Sequence, residues 1–212
     1  MLKTPCLPLV TSALLCAIFI FLSINSLKYL QSKERLWTLN RNRKSIKFPQ
    51  ISLRFSSKTL VCLFFKTTGV VLLSYLERGK TITHESYIND CLDPLIKEIN
   101  KLRPTDGIKN IKLHHDNARP HVHQAVKSYL KEKKLDVMDH PSYSPDLAPC
   151  DFWLFDYIKQ RLDNHSNQES LMDQIVKIVQ NIDHSEYIKT FEMWLERMKL
   201  CIKNNGDYFE HI

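Results

Sequence analysis

Asp116 and Asp151 are the residues of this chain best suited to metal chemistry. Asp116 stands in His115-Asp116-Asn117-Ala118-Arg119-Pro120-His121, and Asp151 follows Tyr143-Ser144-Pro145-Asp146-Leu147-Ala148-Pro149-Cys150, with 34 residues between the two acids. Hard divalent cations take oxygen ligands and keep some of their water, so two carboxylates from separate elements can start a site for Mg²⁺ or Mn²⁺. Two such ions about 4 Å apart can activate a water and stabilise the leaving oxygen of a phosphodiester. Each aspartate alone also has a purely structural explanation. Asp-Asn begins turns, and an aspartate at a helix start caps it. Which explanation holds depends on whether the fold brings the two together.

The elements that would position them can be read from periodicity. Lys58 to Phe65 and Val70 to Tyr75 are apolar, β-branched runs, joined by Lys66-Thr67-Thr68-Gly69 as a hairpin. From Thr83, apolar residues recur at helical spacing through Tyr87, Cys91, Leu92, Leu95, Ile96, Ile99 and Leu102, and Arg103-Pro104 closes the helix. Asn110 to His115 reads as a short strand ending at Asp116, which puts that acid at a strand's C-terminal end, where α/β sheets place their ligands. A helix over Pro120 to Lys133, a strand over Leu135 to Met138, a proline-studded loop to Pro149 and a helix from Asp151 to Leu162 follow. Two further helical stretches complete the chain, the last over Tyr187 to Ile202, before a turn at 204–209. The pattern is mixed α/β.

The histidines His114, His115, His121, His123 and His140 gather around the same loops. Zinc needs three or four converging nitrogen or sulfur ligands, and the predicted helices carry no H-x-x-x-H spacing, which argues against it. The six cysteines are scattered without a C-x-x-C pair, so they read as small apolar residues rather than a zinc ribbon or disulfide framework. Arg119 suits either a phosphate contact or an ion pair with a nearby acid. The net charge of +7 leans weakly toward a polyanionic partner. The excess is concentrated from Lys28 to Lys66, where ten basic residues face a single acid, Glu34. Such a run is either a solvated face or an arm that contacts phosphates.

Residues 4–27 carry no charge. As a helix this stretch would reach roughly 36 Å, enough to cross a bilayer core. Its positive flank lies mainly on the C-terminal side, which would leave the rest of the chain in the cytoplasm if it inserted. Membrane helix, signal peptide and translated flanking sequence are all open readings of 1–27. An apolar leader is preferred over a membrane anchor, with residues 28–212 as the working domain.

The text around the acids closely resembles the catalytic domain of mariner-family transposases, within the Tc1/mariner superfamily, truncated at its N-terminal side. The resemblance runs from about Lys58 to the C-terminus. It rests on Gly69-Val70-Val71, Gly79-Lys80-Thr81-Ile82, the HDNARPH string at 115–121, His140-Pro141, the YSPDLAP string at 143–149, Asp151-Phe152-Trp153-Leu154-Phe155 and Gly206-Asp207-Tyr208-Phe209. Aspartate rather than glutamate at the third acid points to mariner and away from its Tc1 relatives. The resemblance implies an RNase H-like mixed sheet flanked by helices, here preceded by an apolar N-terminal helix. It also implies Mg²⁺- or Mn²⁺-dependent cleavage and transfer of DNA strands, DNA as partner, and action in the nucleus. A second copy of the chain is an open partner. Asp116 and Asp151 match the family's second and third acids, and His115 and His121 belong to the motif around Asp116 and would orient its loop.

The first acid departs from the pattern. The family has an aspartate three residues before a tryptophan, whereas no aspartate precedes Asp90 in this chain. Glu34-Arg35-Leu36-Trp37 resembles a degraded version of that strand, with Glu34 as the candidate third catalytic and metal ligand. Its extra methylene shifts the carboxylate oxygens by more than about an ångström, and errors of that size can cost about a hundredfold in rate. The stretch before the resemblance is apolar where the family carries a helix-turn-helix region, so specific binding of transposon ends is not expected. The reading is an inherited but impaired strand-cleaving domain. The alternatives are a non-catalytic remnant that binds DNA through its basic run, and a membrane-anchored reuse of the fold.

Overall fold

The computed structural model describes residues 14–23, 58–77, 79–163 and 167–206. Five strands form one sheet: β1 (Leu14–Ser23), β2 (Lys58–Lys66), β3 (Gly69–Tyr75), β4 (Lys112–His114) and β5 (Asp136–Met138). Their spatial order is β3-β2-β1-β4-β5. β1 pairs antiparallel with β2 and β2 with β3, while β1–β4 and β4–β5 are parallel. This is the mixed sheet expected from the sequence. The β2–β3 hairpin turns at Thr67-Thr68 and closes at Gly69, whose φ of +114° would strain any side-chain-bearing residue.

The apolar stretch expected as a helix is instead the strand β1 over Leu14–Ser23. Its Ile-Phe-Ile-Phe centre is rich in residues that suit a pleated, half-buried surface. Eight residues, Cys16 to Ser23, pair in register with β2, and three more pairs tie Leu14, Leu15 and Cys16 to β4. Periodicity could not separate the two outcomes, because a continuous apolar run fits a buried strand as well as a helix. The rest of residues 1–27 lies outside the described residues. Among the described residues no helix is long and apolar enough to cross a membrane.

Each face of β2 is buried, which explains its unbroken apolar text. Val61, Leu63 and Phe65 point to one core, with Leu154, Ile158, Leu171, Ile175, Phe191 and Trp194. Cys62 and Phe64 point to the other, with Tyr87, Leu92, Leu95, Leu113, Val126 and Leu130. Full burial of each large side chain contributes about 1.5–3 kcal/mol, so the hairpin is anchored from both sides.

Helix α1 spans 84–102, with a π-helical turn at Tyr87–Leu92 between α-helical segments His84–Ser86 and Asp93–Leu102. Thr83 and Ser86 form its capping box. The helix expected over Pro120 to Lys133 breaks into α2 (Arg119–Val122) and α3 (Gln124–Lys133). The cause is His123, which is extended and caps α3 by accepting the Ala125 N–H on Nδ1. Helix α4 runs over 150–159, opening with a second π-helical turn at Cys150–Leu154. α5 (Gln168–Gln180) and α6 (His184–Lys203) complete the layer over the first core. The strand before Asp116 is shorter than expected because Asn110 takes a left-handed conformation, with φ of +62°, before it begins.

Candidate metal centre

Asp116 stands two residues beyond the end of β4, at the mouth of the parallel half of the sheet. Its Oδ1 accepts the Ala118 N–H at 3.1 Å and lies 2.7 Å from His121 Nδ1. The first contact is the local turn that Asp-Asn text favours. The second closes α2 back onto the acid, and His121 Nδ1 also sits 3.1 Å from the Asp116 carbonyl oxygen. Partial burial opposes the charge on Asp116. The hydrogen bond and charge interaction with His121, with the Ala118 N–H, outweigh it and hold the carboxyl at about 2. Asp116 is therefore an anion over the whole physiological range.

Asp151 lies in the π-helical turn that opens α4. Pro149, not Asp151, occupies the N-cap of that turn, so Asp151 does not cap it but stands in its first turn. Its N–H donates to the Ala148 carbonyl at 2.8 Å. Partial burial, then the negative charge of Asp116, raise its carboxyl to about 6, with Lys159 pulling weakly the other way. The fold thus brings the two acids within electrostatic reach. The charge of Asp116 raises the proton affinity of Asp151, and two such carboxylates form an oxygen-rich donor pair suited to a hard cation, whose charge would relieve the repulsion.

The loop between β5 and α4 is pinned from several sides. Asn117 Nδ2 donates to the His140 carbonyl at 2.7 Å, and His114 Nε2 lies 3.1 Å from His140 Nδ1. Burial and the neighbouring His140 drop His114 to about 3, so this pair is neutral near pH 7. Arg197 of α6 donates to the Asp146 carbonyl at 3.2 Å while its guanidinium covers the Phe152 ring at 4.5 Å. Trp194, 1% exposed, packs its ring 4.8 Å from that of His114. The sequence offered no signal for Trp194 or Tyr87 at the site, because both come from helices distant in sequence whose only pattern is apolar periodicity. Arg119 is exposed and open to solvent contacts.

Glu34 lies outside the described residues. Among the described residues no three His, Cys, Asp or Glu side chains group as a metal site, so the acid pair stands without a described third ligand. In register, Cys16 of β1 pairs with His114, the last residue of β4, and Ile18 pairs with Leu63 of β2. No acid occurs between Leu14 and Ser23. The strand beside Asp116 thus contributes no carboxylate.

No family model matches the chain. Two curated relatives do. Histone-lysine N-methyltransferase SETMAR from Homo sapiens is 30% identical over 156 residues, covering 72% of this chain and 23% of the relative. Mariner Mos1 transposase from Drosophila mauritiana is 29% identical over 164 residues, covering 74% of this chain and 46% of the relative. The chain thus spans less than half the length of each. The crystal structure of the Mos1 mariner transposase catalytic domain superposes with a TM-score of 0.68 at 27% identity, over 88% of this chain and 93% of that one. The chain is accordingly a homologue of the mariner transposases and carries the RNase H-like fold of their catalytic domain.

Proposed function

We propose that this protein is a mariner-type catalytic domain remnant that retains a weak divalent-metal site on Asp116 and Asp151, with DNA strand cleavage inherited but impaired. The observation that carries this reading is the placement of the two acids, Asp116 just beyond the end of β4 and Asp151 in the first turn of α4, close enough for the charge of Asp116 to raise Asp151. Mos1 supports the choice of ion, since its catalytic domain has been solved with Mg and with Mn. It also supports the choice of partner, since Mos1 forms a paired-end complex with transposon-end DNA. In this chain, Asp116 and Asp151 would hold Mg²⁺ or Mn²⁺, and the bound ion would supply an activated water and charge neutralisation at the phosphate. Glu34 is the candidate third ligand. Impairment follows from the acid-free strand β1 next to Asp116 and from the longer side chain of Glu34. The same reading makes DNA the partner, a second copy of the chain a candidate partner, and the nucleus the place of action.

The test is nicking of supercoiled DNA by the full chain with Mg²⁺ or Mn²⁺. Weak metal-dependent nicking that disappears in Asp116→Asn and Asp151→Asn supports the reading. Steeply salt-dependent DNA binding without any nicking would replace it with a non-catalytic DNA-binding remnant.

A further inference from the structure

Behind Asp116 lies a buried stack that the metal chemistry does not explain. Tyr87 opens the π-helical turn of α1 and is fully buried. Its hydroxyl and His115 Nδ1 share a hydrogen bond of 2.9 Å across a separation of 28 residues. The His115 ring lies parallel to that of His121, with centroids 4.9 Å apart and planes 1° off. Tyr87 also touches His121 directly, ring to ring at 4.5 Å. His121 in turn reaches Asp116 at 2.7 Å. Three buried rings therefore connect helix α1 to one carboxylate of the acid pair.

Packing alone does not require this arrangement. Phenylalanine at position 87 would fill the same apolar space, and a buried hydroxyl costs about 1–3 kcal/mol unless it is hydrogen-bonded. The hydroxyl meets its partner at His115, whose ring stacks flat on His121. The π-helical turn inserts an extra residue into α1 where Tyr87 is aimed at the site, and such turns recur at functional positions. Side chains outside the ligand shell commonly set ligand orientation in this way.

We propose that Tyr87 is a positioning residue for Asp116: its hydroxyl fixes the plane of His115, His115 holds His121 by stacking, and His121 holds the carboxylate in its metal-facing orientation. The proposal rests on the reading of Asp116 as a metal ligand, and the experiment separates the two. In the full chain, Tyr87→Phe is compared with wild type by Mn²⁺ affinity, measured from water-proton relaxation, and by the side-chain NMR resonances of His115 and His121. The expected result is an affinity loss of about tenfold with both imidazoles shifted, and no further loss when Tyr87→Phe is added to Asp116→Asn. Unchanged Mn²⁺ affinity together with unmoved His121 resonances would overturn it. If wild type binds no Mn²⁺, the metal reading fails, and the resonances alone decide: movement of His121 in Tyr87→Phe supports positioning, and its absence overturns it. Should Tyr87→Phe not fold, His115→Phe removes the same hydrogen bond from the other side, and is read by Mn²⁺ affinity and the His121 resonances alone.

Discussion

Asp116 and Asp151 belong to one electrostatic unit although 34 residues separate them in the chain. Partial burial and the charge of Asp116 lift Asp151 to about 6, while His121 keeps Asp116 near 2. One acid is thus charged down to about pH 2 and the other takes up a proton just below neutrality.

This asymmetry makes metal affinity depend on pH. Mn²⁺ must displace the proton of Asp151, so its affinity should fall as pH drops through about 6 and level off above it. The same shift destabilises the fold. The folded pKa of Asp151 lies above its ordinary 3.8, so stability declines as pH rises from about 4 to 6. Asp151→Asn should therefore stabilise the chain at pH 7.5, by on the order of 1 kcal/mol after solvent screening of this exposed group. Urea unfolding at pH 7.5 and pH 4 gives the comparison, and the gain should vanish at the lower pH.

His121→Phe keeps the stack but removes the bond to Asp116. The folded pKa of Asp116 lies below its ordinary value, so its contribution is present above 3.8 and is lost as pH falls toward 2. The variant should lose about 1 kcal/mol at neutral pH, and the two unfolding curves should approach each other in strong acid. A deficit that does not shrink on acidification would assign the loss to packing.

The acid-free strand β1 gives a gain-of-function test. The parallel register pairs Cys16 with His114 at the end of β4, and Ile18→Asp adds an acid two residues further along β1. Metal-dependent nicking of supercoiled DNA should rise above that of wild type despite a loss of stability. Glu34→Gln should lower residual nicking several-fold. If Glu34→Gln leaves nicking untouched, Glu34 has no place in the site.

Trp194 braces the site from α6, against His114 and inside the first core. Trp194→Ala should cost about 3–5 kcal/mol, and Trp194→Phe less. Urea midpoints measure the loss, and Mn²⁺ affinity of the Phe variant should stay near wild type because no ligand moves.

Local text determined a good part of this protein. The β2–β3 hairpin, helix α1 and both acids are read from it, because residue alternation, helical spacing and turn residues act over a few positions. The HDNARPH and YSPDLAP strings place Asp116 at a strand end and Asp151 at a helix start, as observed. Only the tertiary structure decided the rest. Leu14–Ser23 is a strand because β2 and β4 supply its hydrogen-bond partners, which an apolar run cannot reveal about itself. The break at His123 reflects a side chain competing for a backbone N–H. The pairing of Asp116 with Asp151, and the Tyr87 stack behind them, depend on contacts between residues far apart in sequence. Those contacts exist only once the sheet has closed and both cores have packed.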